Sequence, residues 1–184
     1  RALAPLRAAY PVHRELLRDD NFGICAYARR GAIAVWQPDA AEVPSLVVAV
    51  DGLEILGTHP PPPFSAEYHG WWTAQLGAIA EWAAERPTAV VAGDLNATPW
   101  CSAFRRLRRD GRLAGAGGLA AWSPTWLRGT PLAAPIDHIL AGPALGLAGH
   151  RVGPEIGSDH RPVLVRIGHI PRRADSAARD TGHP

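Results

Sequence analysis

The chain has 184 residues, of which 47% are apolar and 20% are charged, a balance typical of one globular domain with a sizeable core. Its net charge of +2 is too small to indicate a nucleic-acid-binding protein by itself, although it does not exclude a phosphate substrate. No apolar stretch is long enough to span a membrane, and the two cysteines lie too far apart to indicate a disulfide framework or a zinc site.

The first half of the chain predicts one helix and four strands. Residues 2–10 have an amphipathic pattern that favours a short helix ending at Pro11. The pair Asp51 and Gly52 between two apolar runs is a strong signal for a β-hairpin. Strands are expected over residues 22–29, 33–36, 45–50 and 53–57.

The second half predicts two further helices among strands. Ser65 suits the N-cap of a helix that ends near Glu85, because apolar residues recur at helical spacing within it. A basic helix is expected over 102–109, followed by an irregular loop over 111–135. Strands are expected over residues 90–93, 136–140 and 163–167. Strands that alternate with helices, with at least one tight hairpin, predict an α/β fold with mixed sheets.

One domain is expected over residues 1–168, with a disordered tail over 169–184. The tail is polar and has no apolar period, which is typical of disorder. The chain starts at Arg1 and contains no methionine, so we expect it to be a fragment of a longer protein.

Polar side chains stand at four of the predicted strand ends. The run VVAGDLNATP at residues 90–99 carries Asp94 and Asn96, which point the same way because they lie two apart in an extended chain. The segment GTHP at 57–60 places His59 at a strand end, since the prolines that follow cannot continue a β-ladder. The remaining candidates are Asp137, in PIDHIL at residues 135–140, and Asp159 with His160, in GSDHRPV at residues 157–163.

Each of these residues alone also has an ordinary structural interpretation. An Asp after a strand is most often a turn former or a helix cap, and a His before Pro is typical of loops. Asp137 could be a buried acid with satisfied hydrogen bonds, and Asp159 with His160 could form a turn with a surface histidine. The functional interpretation is favoured because four such positions occur in order at strand ends, where α/β folds bind ligands.

Together these segments resemble the endonuclease/exonuclease/phosphatase superfamily, which is deoxyribonuclease I-like. The resemblance rests on GDLN at 93–96, PIDHIL and GSDHRPV, with GTHP similar to the histidine-bearing strand end, and it covers nearly all of residues 1–168. It is closest to a bacterial branch in which the domain often follows N-terminal membrane segments. It implies a four-layer α/β sandwich, with two packed mixed β-sheets flanked by helices.

The resemblance implies a metal-dependent phosphoesterase that hydrolyses a phosphodiester or phosphomonoester by in-line attack of an activated water. The implied cofactor is Mg²⁺, with Mn²⁺ as a substitute, because a divalent cation neutralises phosphate charge. Asp94 would orient or deprotonate the water, and Asn96 would hold water or phosphate beside it. Asp94, Asn96 and Asp159 would lie at the metal.

Histidines are the other implied functional groups. His160 would contact a phosphate oxygen, with Asp137 fixing its orientation, and His59 would protonate the leaving oxygen. The superfamily also uses an Asn and a metal-binding Glu on strands that precede the helix expected at residues 2–10. Neither Glu15 nor Glu42 ends an apolar strand, so we do not assign them as substitutes, and we expect weak metal binding and low activity from this chain alone.

Two groups of residues outside these motifs allow more than one interpretation. The four arginines of the basic helix, Arg105, Arg106, Arg108 and Arg109, could meet a phosphate backbone, but a solvated basic face is the simpler interpretation. Trp122 and Trp126 could stack on a base, rest on a lipid surface or pin their loop to the core.

The sequence leaves the substrate open among nucleic acid, a phospholipid head group and a soluble phosphoester. It indicates no stable protein partner, and it leaves localisation open, with membrane proximity expected if the full protein carries membrane segments. A non-catalytic binding or scaffold domain on the same fold is the alternative function. A zinc hydrolase of another fold is less favoured, because His59, His138 and His160 do not have a recognised ligand spacing.

Overall fold

The computed structural model describes residues 3–117 and 122–171, which form a mixed α/β domain. Three helices occur in this part of the chain: α1 (Ala4–Ala9), α2 (Ala66–Ala84) and α3 (Ser102–Asp110). The first five strands are β1 (Val12–Leu16), β2 (Ile24–Ala28), β3 (Ala32–Trp36), β4 (Ser45–Val50) and β5 (Leu53–Gly57). The others are β6 (Ala89–Asp94), β7 (Ala114–Gly115), β8 (Asp137–Ala141), β9 (Leu145–Val152) and β10 (Val163–His169).

Six strands make one mixed sheet, in the order β3-β4-β5-β6-β8-β7. Strands β5 and β6 are parallel, and the other neighbours are antiparallel. The hairpin predicted at Asp51 and Gly52 joins β4 to β5. The predicted fold class, an α/β domain with a mixed sheet flanked by helices, is confirmed.

The main hydrophobic core lies between this sheet and helices α2 and α3. Leu56, Val91 and Leu140 of the sheet are buried against Ile79 of α2 and Leu107 of α3. Helix α2 begins where the sequence predicts, because the Ser65 hydroxyl accepts a hydrogen bond from the Tyr68 N–H (3.1 Å). The apolar residues that recur at helical spacing in α2 therefore lie on the helix face that covers the sheet.

The opposite face of the sheet carries two separate antiparallel pairs. Strands β1 and β2 lie beside β3 and β4, and β9 and β10 lie beside β8. A small second core, built on Val90, Ala141 and Leu145, lies under the β9–β10 pair. None of the described helices combines the length and apolar character needed to cross a membrane.

Several element boundaries differ from the sequence predictions. The first helix spans only Ala4–Ala9, and the predicted loop over 111–135 contains strand β7 and an isolated bridge between Trp126 and Ala134. Strands β1 and β9 were not predicted. Residues 172–184 of the expected tail lie outside the described residues, and β10 ends at His169.

At Gly93 the backbone of β6 lies close to Thr58, the residue that follows β5. The Thr58 N–H donates to the Ala92 carbonyl (3.0 Å), and Gly93 has a φ of 150°. A Cβ at position 93 would lie 1.9 Å from the Thr58 carbonyl oxygen, a backbone atom that cannot move aside cheaply. This close contact sets the position of Asp94 relative to His59.

We expect Gly93→Ala to destabilise the protein by about 3 kcal/mol or more, because the added methyl forces the two strand ends apart. Gly77→Ala is the matched control, since Gly77 lies exposed in α2 with open space around it. That control should be neutral or stabilising by about 0.5–1 kcal/mol. Thermal unfolding of both variants checks this, and equal melting temperatures would contradict the assigned role of Gly93.

Glu15 is held within the β1–β2 region by two donors. Its carboxylate accepts hydrogen bonds from Arg7 Nε (2.8 Å) and from the Tyr27 hydroxyl (2.5 Å). These hydrogen bonds, from Arg7 first and then from Tyr27, lower the pKa of Glu15 from 4.5 to about 2. The Glu15 carboxylate is therefore engaged by Arg7 and Tyr27, and we do not assign it as a metal ligand.

The pH dependence of this contact follows from the lowered pKa of Glu15. The stabilisation is complete above pH 4.5 and is lost as the pH falls through about 2. An NMR titration of the Glu15 carboxyl carbon should therefore give a pKa near 2, and Arg7→Ala should raise it. A midpoint near 4.5 in the unsubstituted protein would show that the ion pair does not form in solution.

Candidate active site

The sheet topology brings the predicted site segments to one edge. Asp94 ends β6 and lies opposite Asp137, which begins the antiparallel β8. His59 follows β5, and because β5 runs parallel to β6 it arrives at the same edge. The loop before β10 brings His160 to these residues. Strand order and direction, rather than nearness in sequence, therefore assemble the site.

Asp94 lies at the centre of this group. One oxygen, Oδ1, accepts a hydrogen bond from the Asn96 N–H (2.8 Å). The other, Oδ2, lies 3.5 Å from His59 Nε2 and 3.8 Å from His160 Nε2. Burial, together with the negative charge of Asp137, raises the pKa of Asp94 to about 6 despite the Asn96 hydrogen bond. The carboxylate thus stands between two imidazoles.

His160 and Asp137 form a direct side-chain hydrogen bond in the site. His160 Nδ1 lies 2.9 Å from Asp137 Oδ2, so Nδ1 carries the proton and Nε2 faces Asp94. Burial lowers the pKa of His160, but the hydrogen bond to Asp137 and the charges of Asp137, Asp94 and Asp159 outweigh it and leave this pKa raised. The raised pKa favours an imidazolium, which suits contact with an anionic oxygen.

His59 is held by packing against an aromatic ring. Its ring packs against Phe22, with 5.6 Å between ring centroids. Burial and then the charge of His160 lower the pKa of His59, so the neutral ring is favoured. The pKa values of the two histidines beside Asp94 are therefore shifted in opposite directions, with that of His160 raised and that of His59 lowered.

Asn96 links the two loops that follow β5 and β6. It adopts a left-handed conformation (φ 48°), and its Nδ2 donates to the Pro60 carbonyl (3.0 Å). Asn tolerates this conformation better than most residues. The amide therefore helps to fix the loop that carries His59, and its Oδ1 is the atom that would face water or phosphate.

Asp159 lies at the outer side of the site. Its Oδ2 accepts a hydrogen bond from the Trp126 indole N–H (3.0 Å), which lowers its pKa. The Leu127 N–H donates to the backbone carbonyl of Asp159 (3.0 Å). Trp126 also packs against the His160 ring, at 6.4 Å between centroids. Of the three interpretations offered for Trp126, pinning of the loop is the one that these contacts support.

Thr125 is a site residue that the sequence analysis missed. It is buried, and its Oγ1 accepts hydrogen bonds from the Ile136 N–H (3.2 Å) and the Asp137 N–H (3.1 Å). Its carbonyl accepts from the Arg161 N–H (2.8 Å). Thr125 thereby ties the start of β8 to the segment that carries His160. No local sequence pattern predicts this role, since the hydrogen-bond partners of Thr125 lie far from it in the sequence.

His138, next to Asp137, does not join the site. The alternation of side chains along β8 turns it toward the helices, where its ring packs on Phe104 (4.4 Å between centroids). Its Nε2 lies 2.7 Å from the Ala97 carbonyl oxygen. A zinc site built on His59, His138 and His160 is therefore not formed.

The side chains at this edge carry the type of donor atom that a hard divalent cation binds. Carboxylate and amide oxygens of Asp94, Asn96 and Asp159 are the type of ligand that Mg²⁺ prefers, and Mg²⁺ is often bound by one or two carboxylates together with substrate phosphates. Within residues 3–117 and 122–171, however, no three His, Cys, Asp or Glu side chains form a group that could hold a metal ion. We therefore expect weak cation binding unless phosphate is present.

Thr125→Val should remove the acceptor for two backbone N–H groups and destabilise the protein by about 1–3 kcal/mol. Thr125→Ser is the matched control because it keeps Oγ1, and its stability should stay near that of the unsubstituted protein. Thermal unfolding of both variants measures the effect. Equal loss in both variants would show that keeping Oγ1 does not preserve stability, and would contradict the assigned role of Oγ1.

Comparison with solved structures gives the same fold at low sequence identity. A Neisseria 3′ phosphatase, NExo, bound to a product DNA hairpin matches with a TM-score of 0.65 and 19% identity, over 85% of this chain and 79% of its own. An endonuclease/exonuclease/phosphatase protein from Beutenbergia cavernae matches with a TM-score of 0.64 and 21% identity, over 90% of this chain but only 56% of its own.

Sphingomyelinase C from Streptomyces griseocarneus also matches, with a TM-score of 0.57 and 17% identity, over 89% of this chain and 80% of its own. No curated protein matches the chain. The model of the Endonuclease/Exonuclease/phosphatase family matches residues 7–160. The family comprises hydrolases that act on phosphoester bonds. The chain belongs to the Endonuclease/Exonuclease/phosphatase family.

Proposed function

We propose that this chain is a divalent-metal-dependent phosphoesterase that hydrolyses a phosphodiester or phosphomonoester by in-line attack of water. The observation that carries the proposal is the position of Asp94 Oδ2 between His59 Nε2 (3.5 Å) and His160 Nε2 (3.8 Å), with His160 held by Asp137. This arrangement brings a proton acceptor together with two imidazoles, one of which is hydrogen-bonded to a second carboxylate.

In the proposed reaction, Asp94 accepts a proton from the attacking water as the water oxygen forms a bond to phosphorus. A pKa of about 6 leaves this carboxylate mostly ionised at neutral pH and close to the working range of a general base. The bond from phosphorus to the leaving oxygen breaks in the same step. Asn96 Oδ1 accepts a hydrogen bond from the attacking water and holds it in line.

The two histidines take different parts in this proposal. His160 binds a non-bridging phosphate oxygen through Nε2, and its charge is kept by Asp137 on the other side of the ring. His59 donates a proton to the leaving oxygen. It can do so only once the phosphate anion raises its pKa, because burial lowers that pKa in the free protein.

Mg²⁺ is the proposed cofactor, with Mn²⁺ as a substitute. Asp94, Asn96 and Asp159 would hold the cation, and the cation would neutralise the phosphate charge. The site residues keep their roles in binding, orientation and proton transfer. A substrate phosphate would supply further oxygen ligands.

A non-catalytic binding domain on the same fold is the alternative function. It would keep a pocket for phosphate without needing the ordered proton positions of the site. The opposite pKa shifts of His59 and His160 favour the enzyme, because simple anion binding is better served by two histidines whose pKa values are both raised. The substrate classes remain nucleic acid, a phospholipid head group and a soluble phosphoester.

Hydrolysis of bis-p-nitrophenyl phosphate tests the proposal. We expect turnover with Mg²⁺ or Mn²⁺, loss of turnover in EDTA, and a fall of about 10²–10⁴-fold in Asp94→Asn and His160→Ala. Both changes remove a reacting or charge-stabilising group without deleting core volume, so the variants should remain folded by circular dichroism.

Asp51→Asn and His169→Ala are the matched controls. Asp51 lies in the β4–β5 turn, paired with Arg30, and His169 is exposed at the end of β10. Both should keep the rate of the unsubstituted protein. Absence of hydrolysis with either metal, on this substrate and on DNA and phospholipid, would favour the binding-domain function instead.

A further inference from the structure

Exposed apolar side chains are concentrated on the loops around the candidate site. Ten large apolar side chains are exposed in the described part of the chain, and five of them lie on the loops that carry or adjoin the site residues. These five, with their exposed fractions, are Phe64 (84%), Trp100 (53%), Trp122 (57%), Leu132 (70%) and Ile156 (65%). We call them the apolar rim.

The rim residues come from different segments but share one edge of the domain. Phe64 follows His59, and Ile156 lines a cavity of about 330 Å³ together with Asp137 and His160. Trp100 lies four residues after Asn96, and its ring stacks on Trp122 with 5.5 Å between centroids and 16° between planes. Two loops that are distant in sequence thus present one exposed aromatic surface beside the site.

The two segments that carry Trp100, Trp122 and Leu132 are basic. Residues 95–109 contain four arginines and no Asp or Glu, and residues 122–136 contain one arginine and no Asp or Glu. Arg105 donates to the Trp100 carbonyl, which keeps its guanidinium beside the rim. Glu155, next to Ile156, is paired with Arg161 (3.0 Å). The rim therefore complements a surface that is apolar inside and anionic outside.

We propose that the apolar rim docks on an anionic phospholipid bilayer, so that the proposed phosphoesterase takes a lipid phosphoester as its substrate. Trp, Phe and Leu beside Arg is the composition of interfacial membrane-binding segments, and anionic lipids attract the arginines. Surfaces that bind nucleic acid are polar and wet, and Leu132 and Ile156 offer a base neither a hydrogen bond nor a stacking plane.

The substrate assignment depends on the proposed phosphoesterase function, whereas the docking surface does not. In the docked state the rim side chains would be buried in the bilayer interface, and the site at the same edge would face the lipid head groups. Hydrolysis would then add water across the phosphorus–oxygen bond, giving a phosphomonoester and an alcohol from a phosphodiester. No further reactant is needed.

Co-sedimentation with vesicles, without turnover, tests the docking surface. We expect the full chain to bind phosphatidylcholine vesicles that contain phosphatidylserine, and to bind pure phosphatidylcholine vesicles more weakly. The double variant Trp100→Ala/Trp122→Ala should lose affinity for the mixed vesicles by about tenfold or more, a change of about 1.4 kcal/mol or more. Arg105→Gln should weaken binding to the mixed vesicles only.

Ile170→Ala is the matched control, because Ile170 is 54% exposed but lies at the opposite end of the sheet, where its N–H donates to the Ala144 carbonyl (2.9 Å). It should bind as the unsubstituted chain does. Circular dichroism checks that each variant is folded. Failure of the chain to bind mixed vesicles, or equal binding by the double variant, would overturn the proposal.

Binding to a single-stranded oligonucleotide distinguishes the lipid proposal from the main alternative, in which the rim binds nucleic acid. Binding of the oligonucleotide that is lost in the double variant, with vesicle binding absent, would assign the rim to nucleic acid and overturn the lipid proposal. Hydrolysis of bis-p-nitrophenyl phosphate without vesicle binding would contradict the docking surface and the lipid substrate, but not the phosphoesterase function. Vesicle binding without hydrolysis of any phosphoester would contradict the phosphoesterase function and the lipid substrate, but not the docking surface.

Discussion

The direction of three neighbouring strands is the constraint on which this site depends. Strand β5 runs parallel to β6, so both end at the same edge, and β8 runs antiparallel, so it begins there. The close backbone contact between Gly93 and Thr58 then fixes how far Asp94 lies from His59. A glycine next to Asp94 in the chain thereby controls how close this carboxylate lies to His59.

The electrostatics of the site follow from this placement. Burial and the nearby Asp137 carboxylate raise the pKa of Asp94. The pKa of His160 is raised despite its burial, because of the hydrogen bond to Asp137, whereas burial and the charge of His160 lower the pKa of His59. Neighbouring titratable groups whose pKa values are shifted in opposite directions suit combined acid and base chemistry.

Much of the site could be predicted from sequence because its residues stand at the ends of apolar runs, and the runs themselves identify β5, β6, β8 and α2. Strand β1 was missed because His13, Arg14 and Glu15 interrupt its apolar pattern, and β9 because its glycines and alanine have low strand propensity. Pairing with β2 and β10 stabilises these two strands. Thr125 could not be predicted, since its hydrogen bonds join segments that meet only after folding.

The central claim is that water held at Asp94 attacks phosphorus. Hydrolysis of a phosphodiester in oxygen-18-labelled water with Mg²⁺, followed by mass spectrometry of both products, tests it most directly. The account predicts that the label enters the phosphate product and is absent from the alcohol, and that Asp94→Asn abolishes its incorporation. Label in the alcohol, or incorporation into phosphate at an unchanged rate in Asp94→Asn, would contradict the account.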